Sequence, residues 1–255
     1  MFLNFIRSKS TLALLAAAVA AVATSANAAI VFTGGSATIV SDTGDRHTVA
    51  STLPVPIDYD TPLSGLYGNP TVTMPSGVIK FNFQSLSSQF RATASSALYN
   101  ATESVDIDGK LVMTLHFDTP TSLGASLYED GLYNTTNGGT FQILGGGVAI
   151  EAVDPTPLET HSGTFNSTAA NGGWTATANI PGFTGLYTDY QITIDNNLLA
   201  LAPKGTDGQV GTSDIYKKDF ILTLTTTTGN GRTPEPASLG MLALGAVGLM
   251  ARRRK

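Results

Sequence analysis

Closely spaced aspartates are the residues whose type and spacing come nearest to a metal site. Asp106-Ile107-Asp108-Gly109 offers two carboxylates and a turn glycine, as part of a calcium loop does. The segment lacks the closing glutamate of the full pattern, so Asp106 and Asp108 are weak calcium candidates. The alternative is a turn whose aspartates form local hydrogen bonds. We expect no cofactor and no other metal.

Residues that could form a catalytic constellation are sparse. His116 and Asp118 are two positions apart, which places them on one face of a strand, but no third metal ligand accompanies them. Two solvent-facing polar side chains are the simpler interpretation. The chain contains neither a Gly-x-Ser-x-Gly elbow nor a His-Glu-x-x-His motif. We predict that the protein is not an enzyme, and a hydrolase with a triad assembled from distant positions is the third hypothesis.

The N-terminus has the three parts of a secretory signal. Arg7 and Lys9 precede an apolar run at 12–23, and the small-x-small sequence Ala26-Asn27-Ala28 follows. The run is shorter than the about 20 residues of a membrane-spanning helix, which disfavours the alternative of an uncleaved anchor. We predict a signal peptide at residues 1–28, cleaved after Ala28 and recognised by the Sec export machinery.

The C-terminus has an ordered set of three features. Pro234-Glu235-Pro236 comes first, an apolar stretch at 237–251 follows, and Arg252-Arg253-Arg254-Lys255 ends the chain. The prolines keep the first segment extended and accessible. The apolar stretch is expected to halt transfer in the membrane as a helix, with the basic cluster on the cytoplasmic side. Because the stretch is short for a full span, a temporary anchor suits it better than a permanent one.

This tripartite end resembles the PEP-CTERM sorting domain. The resemblance implies that exosortase, a membrane protease-transpeptidase, cleaves near Pro234-Glu235-Pro236 and passes the protein to the surface of a Gram-negative-type bacterium. The motif residues are then a substrate and catalyse nothing. The alternative is an ordinary tail anchor with a chance Pro-Glu-Pro. The predicted sorting signal covers residues 234–255, and a tether at 229–233 precedes it.

A softer resemblance to the bodies of PEP-CTERM proteins lies near the end of the chain. It rests on Tyr187-Thr188-Asp189-Tyr190, Ile194-Asp195-Asn196 and Lys217-Lys218-Asp219-Phe220. These phrases support a β-rich body, and no site is predicted from them.

The body between the two ends is predicted to be all-β. Apolar and polar residues alternate at 77–84, 110–118, 174–180 and 190–195, which is typical of antiparallel strands with one buried face. Glycine-containing turn signals separate such segments, among them Asp108-Gly109 and Gly145-Gly146-Gly147, and one short segment, 86–98, has helical spacing. The pattern predicts a β-sandwich or jelly-roll domain at residues 29–228.

The charge of the body limits its partners. The chain has 14 Lys and Arg and 19 Asp and Glu; six of these basic residues and one acidic residue lie in the terminal signals, which leaves 8 against 18 in residues 29–233. An excess of ten negative charges disfavours nucleic acid as a partner. Without cysteine the body has no disulfide or thiolate site. We expect a structural or interaction role in an exopolysaccharide-rich layer; the alternative is a carbohydrate-binding or adhesive module.

Overall fold

The computed structural model describes residues 29–50, 57–84, 86, 89–99, 101–151, 159–205 and 209–228. Short helical segments occur at Pro75–Gly77 and at α1 (Ser96–Tyr99). Thirteen strands make up most of this described part: β1 (Ile30–Phe32), β2 (Gly35–Ala50), β3 (Ile57–Ser64), β4 (Thr71–Thr73), β5 (Ile79–Phe83), β6 (Arg91–Ser95), β7 (Glu103–Thr136), β8 (Thr140–Glu151), β9 (Thr160–Thr164), β10 (Asn166–Ala170), β11 (Gly173–Ile180), β12 (Tyr187–Ala202) and β13 (Thr212–Thr228).

Strand β7, 34 residues long, is the centre of the fold. Its first half, from Glu103 to Phe117, lies between β2 and β12. Its second half pairs with β11 and β13. Because one strand continues through both sets of pairs, β7 connects a first half of the sheet (β1, β2, β3, β8, β9, β12) with a second half (β4, β5, β6, β10, β11, β13).

Strands of both halves contribute side chains to one hydrophobic core. The apolar residues of the alternating segments point into this core, as the period-two pattern predicts. In β5, Ile79, Phe81 and Phe83 are buried, and in β11 the buried residues include Trp174 and Ile180. The core is rich in aromatic rings that meet edge to face, a favoured geometry for aromatic pairs.

The segment 86–98, whose apolar residues have helical spacing, contains a strand. Arg91–Ser95 is strand β6, which pairs with β13, and the α-helical turn α1 begins directly after it at Ser96. Ala92 and Ala94 are buried on one side of this strand, so period-two burial against the core replaces the weak i, i+4 pattern.

Two of the predicted turns lie within strands instead. Asp108-Gly109 is in the middle of β7, and Gly145-Gly146-Gly147 is in β8. A Cβ at Gly109 would overlap the ring of Phe90, so this glycine allows an aromatic side chain to approach the backbone closely. By contrast, Asn171 and Gly172 both have positive φ and connect β10 to β11, as the hairpin signal predicts.

The predicted fold class is confirmed at its coarser level. The described chain is nearly all strand, and the strand pairs are antiparallel within one 13-stranded network. The sandwich or jelly-roll arrangement stays a prediction. Within the described ranges no helix is long and apolar enough to cross a membrane.

Candidate functional site

Three polar side chains meet in the middle of the hydrophobic core: Lys217, Glu129 and Asn196. All three residues are fully buried, with no solvent exposure. The Lys217 Nζ forms an ion pair with the Glu129 Oε2. The Asn196 Nδ2 donates to both carboxylate oxygens of Glu129, at 2.6 Å from Oε2 and 2.8 Å from Oε1. The amine and the carboxamide therefore contact the same carboxylate oxygen.

Each of the three residues comes from a different strand. Asn196 lies on β12, where it faces Gly109 of β7 on one side and Gly145 of β8 on the other. Glu129 belongs to the second half of β7, and Lys217 lies on β13, one residue before a bulge in the pairing with β7. The Asn196–Glu129 hydrogen bonds thus connect the two halves of the sheet.

Aromatic rings surround the lysine ammonium. The Nζ lies 4.2 Å from the centroid of the Phe90 ring, 5.3 Å from that of Tyr67 and 5.6 Å from that of Phe220. Ring faces attract a cation but replace little of the hydration that burial removes. Burial accordingly lowers the pKa of Lys217, and the neighbouring Glu129 only partly opposes this effect. Relative to the charged ammonium, the uncharged amine of Lys217 is therefore more favoured in this site than in water.

Further backbone and side-chain contacts fix the surroundings of the lysine. The backbone N–H of Lys217 donates to the carbonyl of Phe90 at 3.0 Å. The Tyr67 hydroxyl reaches the carbonyl of Gly109 at 3.5 Å, and the Tyr67 backbone N–H donates to the Asp42 carboxylate. The carboxamide oxygen of Asn196 has no hydrogen-bond partner in the described part of the chain. The contacts of the cluster therefore leave the carboxamide oxygen of Asn196 unsatisfied.

This arrangement contains the groups that acyl transfer requires. A lysine amine is a nucleophile when desolvation lowers its pKa, a carboxylate can accept and return protons, and a carboxamide carbon is an acyl group. Because all three residues are fully buried, a substrate from solution cannot reach them. Any chemistry of this cluster is confined to the chain itself.

The sequence contains a signal for this cluster that motif searching missed. Asn196 continues the buried series of Ile192 and Ile194, and Lys217 follows the buried Ile215 at the same spacing. A polar residue in the buried phase of an alternating strand indicates an internal polar contact. Asn196 and Lys217 also lie in two of the phrases noted above, from which no site was predicted.

The predicted sorting and cleavage residues fall at the two ends of the chain. Ala26 and Ala28, Pro234-Glu235-Pro236 and Arg252-Arg253-Arg254-Lys255 all lie outside the described residues. The same holds for the apolar stretch at 237–251. Their predicted roles stay predictions as far as the structure is concerned.

The calcium candidates lie on a strand and form no loop. Asp106 and Asp108 are on the outer face of β7, opposite His47 and Asp45 of β2. Partial burial, followed by repulsion from Asp195, raises the pKa of Asp108 to about 6. In the described ranges no three or more histidine and acidic side chains are grouped to hold a metal ion. The turn on which the calcium-loop interpretation depended is absent from this position.

His116 pairs with a different carboxylate from the one its sequence neighbours suggest. Its Nδ1 lies 2.7 Å from Asp189 Oδ1 on β12 rather than against Asp118. Ser36 is opposite His116 on β2, so a serine, a histidine and an aspartate lie in one row across three strands. The row is on the outer face of the sheet, and the described contacts include no hydrogen bond between Ser36 and the imidazole. It lacks the serine–histidine contact of a hydrolytic triad.

Trp174 and Tyr128, two aromatic residues whose rings are large enough to stack on a sugar, divide between core and surface. Trp174 is buried, and its Nε1 donates to the Tyr216 carbonyl at 3.2 Å. Tyr128 is 39% exposed on the outer face of β7. Near it, an open depression of about 370 Å³ is lined by Asp130, Leu132 and residues of β10 and β11. Of these two aromatics, only Tyr128 offers a ring to the surface.

Comparison with known protein families identifies the C-terminal segment. Residues 232–255 match the PEP-CTERM protein-sorting motif. The chain is therefore a PEP-CTERM sorting domain-containing protein, and the motif implies an exported protein that exosortase targets for sorting to the cell surface. No curated protein matches the chain.

Proposed function

We propose that this protein is a non-enzymatic structural component of the bacterial surface or extracellular matrix. The observation that carries the proposal is the sorting motif at 232–255. A second observation supports it: the cluster of Lys217, Glu129 and Asn196 has no solvent exposure. A surface-sorted body whose internal polar cluster is closed to substrates fits a structural role better than a catalytic one.

The proposed route begins with Sec-dependent export. The signal peptide at 1–28 is removed, and the stretch at 237–251 holds the chain in the membrane temporarily, with Arg252-Arg253-Arg254-Lys255 inside. Exosortase then cleaves near Pro234-Glu235-Pro236 and releases the body into an exopolysaccharide-rich layer. The excess of acidic residues suits a hydrated matrix and disfavours retention on anionic lipid.

In the proposed body, the two halves of the sheet are the two layers of a sandwich. The hydrogen bonds between Asn196 on β12 and Glu129 on the second half of β7 support this arrangement, because they cross the core between the halves. Residues 29–228 then form one domain, which the tether at 229–233 joins to the sorting signal.

Cell fractionation tests the proposal. The Glu235→Ala chain should stay in the membrane fraction, whereas the unaltered chain should be recovered with the extracellular polysaccharide. Ser238→Ala, two residues beyond the motif, is the matched control and should behave as the unaltered chain does. If the unaltered protein is found free in the medium and absent from the polysaccharide layer, the structural role is contradicted.

A carbohydrate-binding or adhesive role is the second candidate. Exposed Tyr128 beside the depression of about 370 Å³ favours it, since an exposed ring can stack on a sugar. Binding of the purified protein to a glycan array, lost on Tyr128→Ala, would support this role. The absence of binding to any glycan would exclude it in favour of the purely structural one.

A further inference from the structure

The buried cluster has the composition and the contacts of a self-reacting site. Lys217 Nζ and Asn196 Nδ2 both contact Oε2 of Glu129, and solvent reaches none of the three residues. We propose that Lys217 and Asn196 join in an intramolecular amide bond, an isopeptide crosslink, and that Glu129 transfers the protons of this reaction. The crosslink would connect β12 to β13 through the core.

The reaction balances without any added reagent. The Lys217 ammonium passes a proton to the Glu129 carboxylate, and the resulting amine attacks Cγ of Asn196. The new Nζ–Cγ bond forms, the Cγ–Nδ2 bond breaks, and Nδ2 leaves as ammonia after Glu129 returns its proton to it. The attacking nitrogen gives up its second proton to Glu129, which ends as a neutral carboxylic acid. No atom is oxidised or reduced.

The environment favours each part of this reaction. The folded strands hold the amine and the carboxamide against one carboxylate, which replaces a bimolecular encounter by a fixed geometry. Burial lowers the pKa of the lysine and so favours the nucleophilic amine. Water, which would compete as a nucleophile, is excluded from the surroundings of Phe90, Tyr67 and Phe220.

The product also relieves the energetic cost of the starting cluster. An ion pair without exposure loses the hydration of both charges, and its mutual attraction often fails to offset that loss. After the reaction the lysine is an amide and Glu129 is neutral, so the core contains no charge at this position. A neutral Glu129 hydroxyl can then donate to the carbonyl oxygen from Asn196, which has no partner in the described part of the chain.

A crosslink of this kind would stabilise a body that has no disulfide. The chain contains no cysteine, and the proposed bond needs no oxidant. It would close a covalent loop from residue 196 to residue 217 and tie the two halves of the sheet together, as a disulfide restrains an unfolded chain. The inference is independent of the proposed function, because it concerns the core and not the sorting motif.

Peptide mass spectrometry of the full chain purified from cells tests the proposal. Cleavage on the N-terminal side of aspartate separates residues 195–206 from residues 214–218. We expect one branched peptide in which the two are joined, with a mass lower than their sum by one ammonia, about 17 Da. Fragmentation should place the bond between Asn196 and Lys217. Recovery of the two peptides only as separate, unmodified species would overturn the proposal.

Variants establish which groups react. Lys217→Met removes the nucleophile and Glu129→Gln removes the proton carrier, so both chains should yield separate peptides. Lys218→Met, at the exposed neighbouring position, should still yield the branched peptide. A link between Lys217 and Glu129 themselves, with the loss of one water (about 18 Da), would contradict the assignment of Asn196 as the acyl group. The measurement on the unaltered chain decides the question even if a variant fails to fold.

Discussion

At the residue scale, Glu159 shows how one carboxylate can order a surface segment. Its oxygens accept hydrogen bonds from the backbone N–H of Thr184 at 2.7 Å and of Gly185 at 3.1 Å. His161 Nε2 lies 2.8 Å from the same carboxylate. These contacts, the Thr184 N–H first and His161 second, lower the pKa of Glu159 to about 2. The ionised form is therefore favoured by folding.

The pH dependence of stability follows from the direction of this shift. A carboxylate whose pKa falls on folding stabilises the protein above its unfolded pKa, here 4.5, and loses that effect as the pH falls towards about 2. We expect Glu159→Gln to lower the urea midpoint at pH 7. The difference from the unaltered protein should shrink steadily between pH 4.5 and pH 2.

The exposed carboxylate of Asp118 offers the matched comparison. Asp118→Asn should leave the urea midpoint nearly unchanged at both ends of this pH range, since surface substitutions without specific contacts have small effects. A Glu159→Gln deficit of equal size at pH 7 and pH 3 would show that the hydrogen bonds do not depend on the ionised carboxylate.

At the scale of the elements, the strands were predictable and the roles of their glycines were not. Alternation in 110–118 and 190–195 fixes which side chains are buried, because a strand presents successive residues to opposite faces. The dipeptide Asp108-Gly109 is typical of a turn. In the structure, however, Gly109 lies against the ring of Phe90, 19 positions earlier in the sequence. A local pattern cannot contain that distant contact, so the prediction of a turn failed there.

Substitution of Gly109 tests this explanation. A methyl group at this position would overlap the Phe90 ring in the core, so Gly109→Ala should lower the free energy of unfolding by about 1–3 kcal/mol. Gly182→Ala is the control, because a Cβ there meets no atom within 4 Å. Its effect should stay below about 0.5 kcal/mol. Urea unfolding followed by tryptophan fluorescence measures both, and equal effects would contradict the close-approach interpretation.

The cluster of Lys217, Glu129 and Asn196 was also only partly predictable from the local sequence pattern of its strands. Alternation could place Asn196 and Lys217 on buried faces, since both continue apolar series at a spacing of two. It could not show that Glu129 lies between them, because that depends on how β7 continues from one half of the sheet to the other. The three residues are distant in sequence, and only the pairing of β12 and β13 with different parts of β7 brings them together.

At the scale of the whole molecule, different features of the sequence determine where the protein is sorted and how its body folds. The sorting motif is local: three ordered features within 24 residues are sufficient to recognise it, and the family comparison confirms it at 232–255. The all-β class follows from repeated alternation and is confirmed at that level. The continuity of one long strand through both halves of the sheet is a tertiary feature, which no short window of sequence contains.

The mass of the C-terminal peptide recovered from the extracellular layer tests the central claim most directly. Processing by exosortase predicts a protein whose last residues lie within or just before Pro234-Glu235-Pro236, with no peptide from the apolar stretch that follows. A deletion of exosortase should restore the full C-terminus and move the protein to the membrane. Recovery of surface protein that still ends at Lys255 in the normal strain would contradict the account.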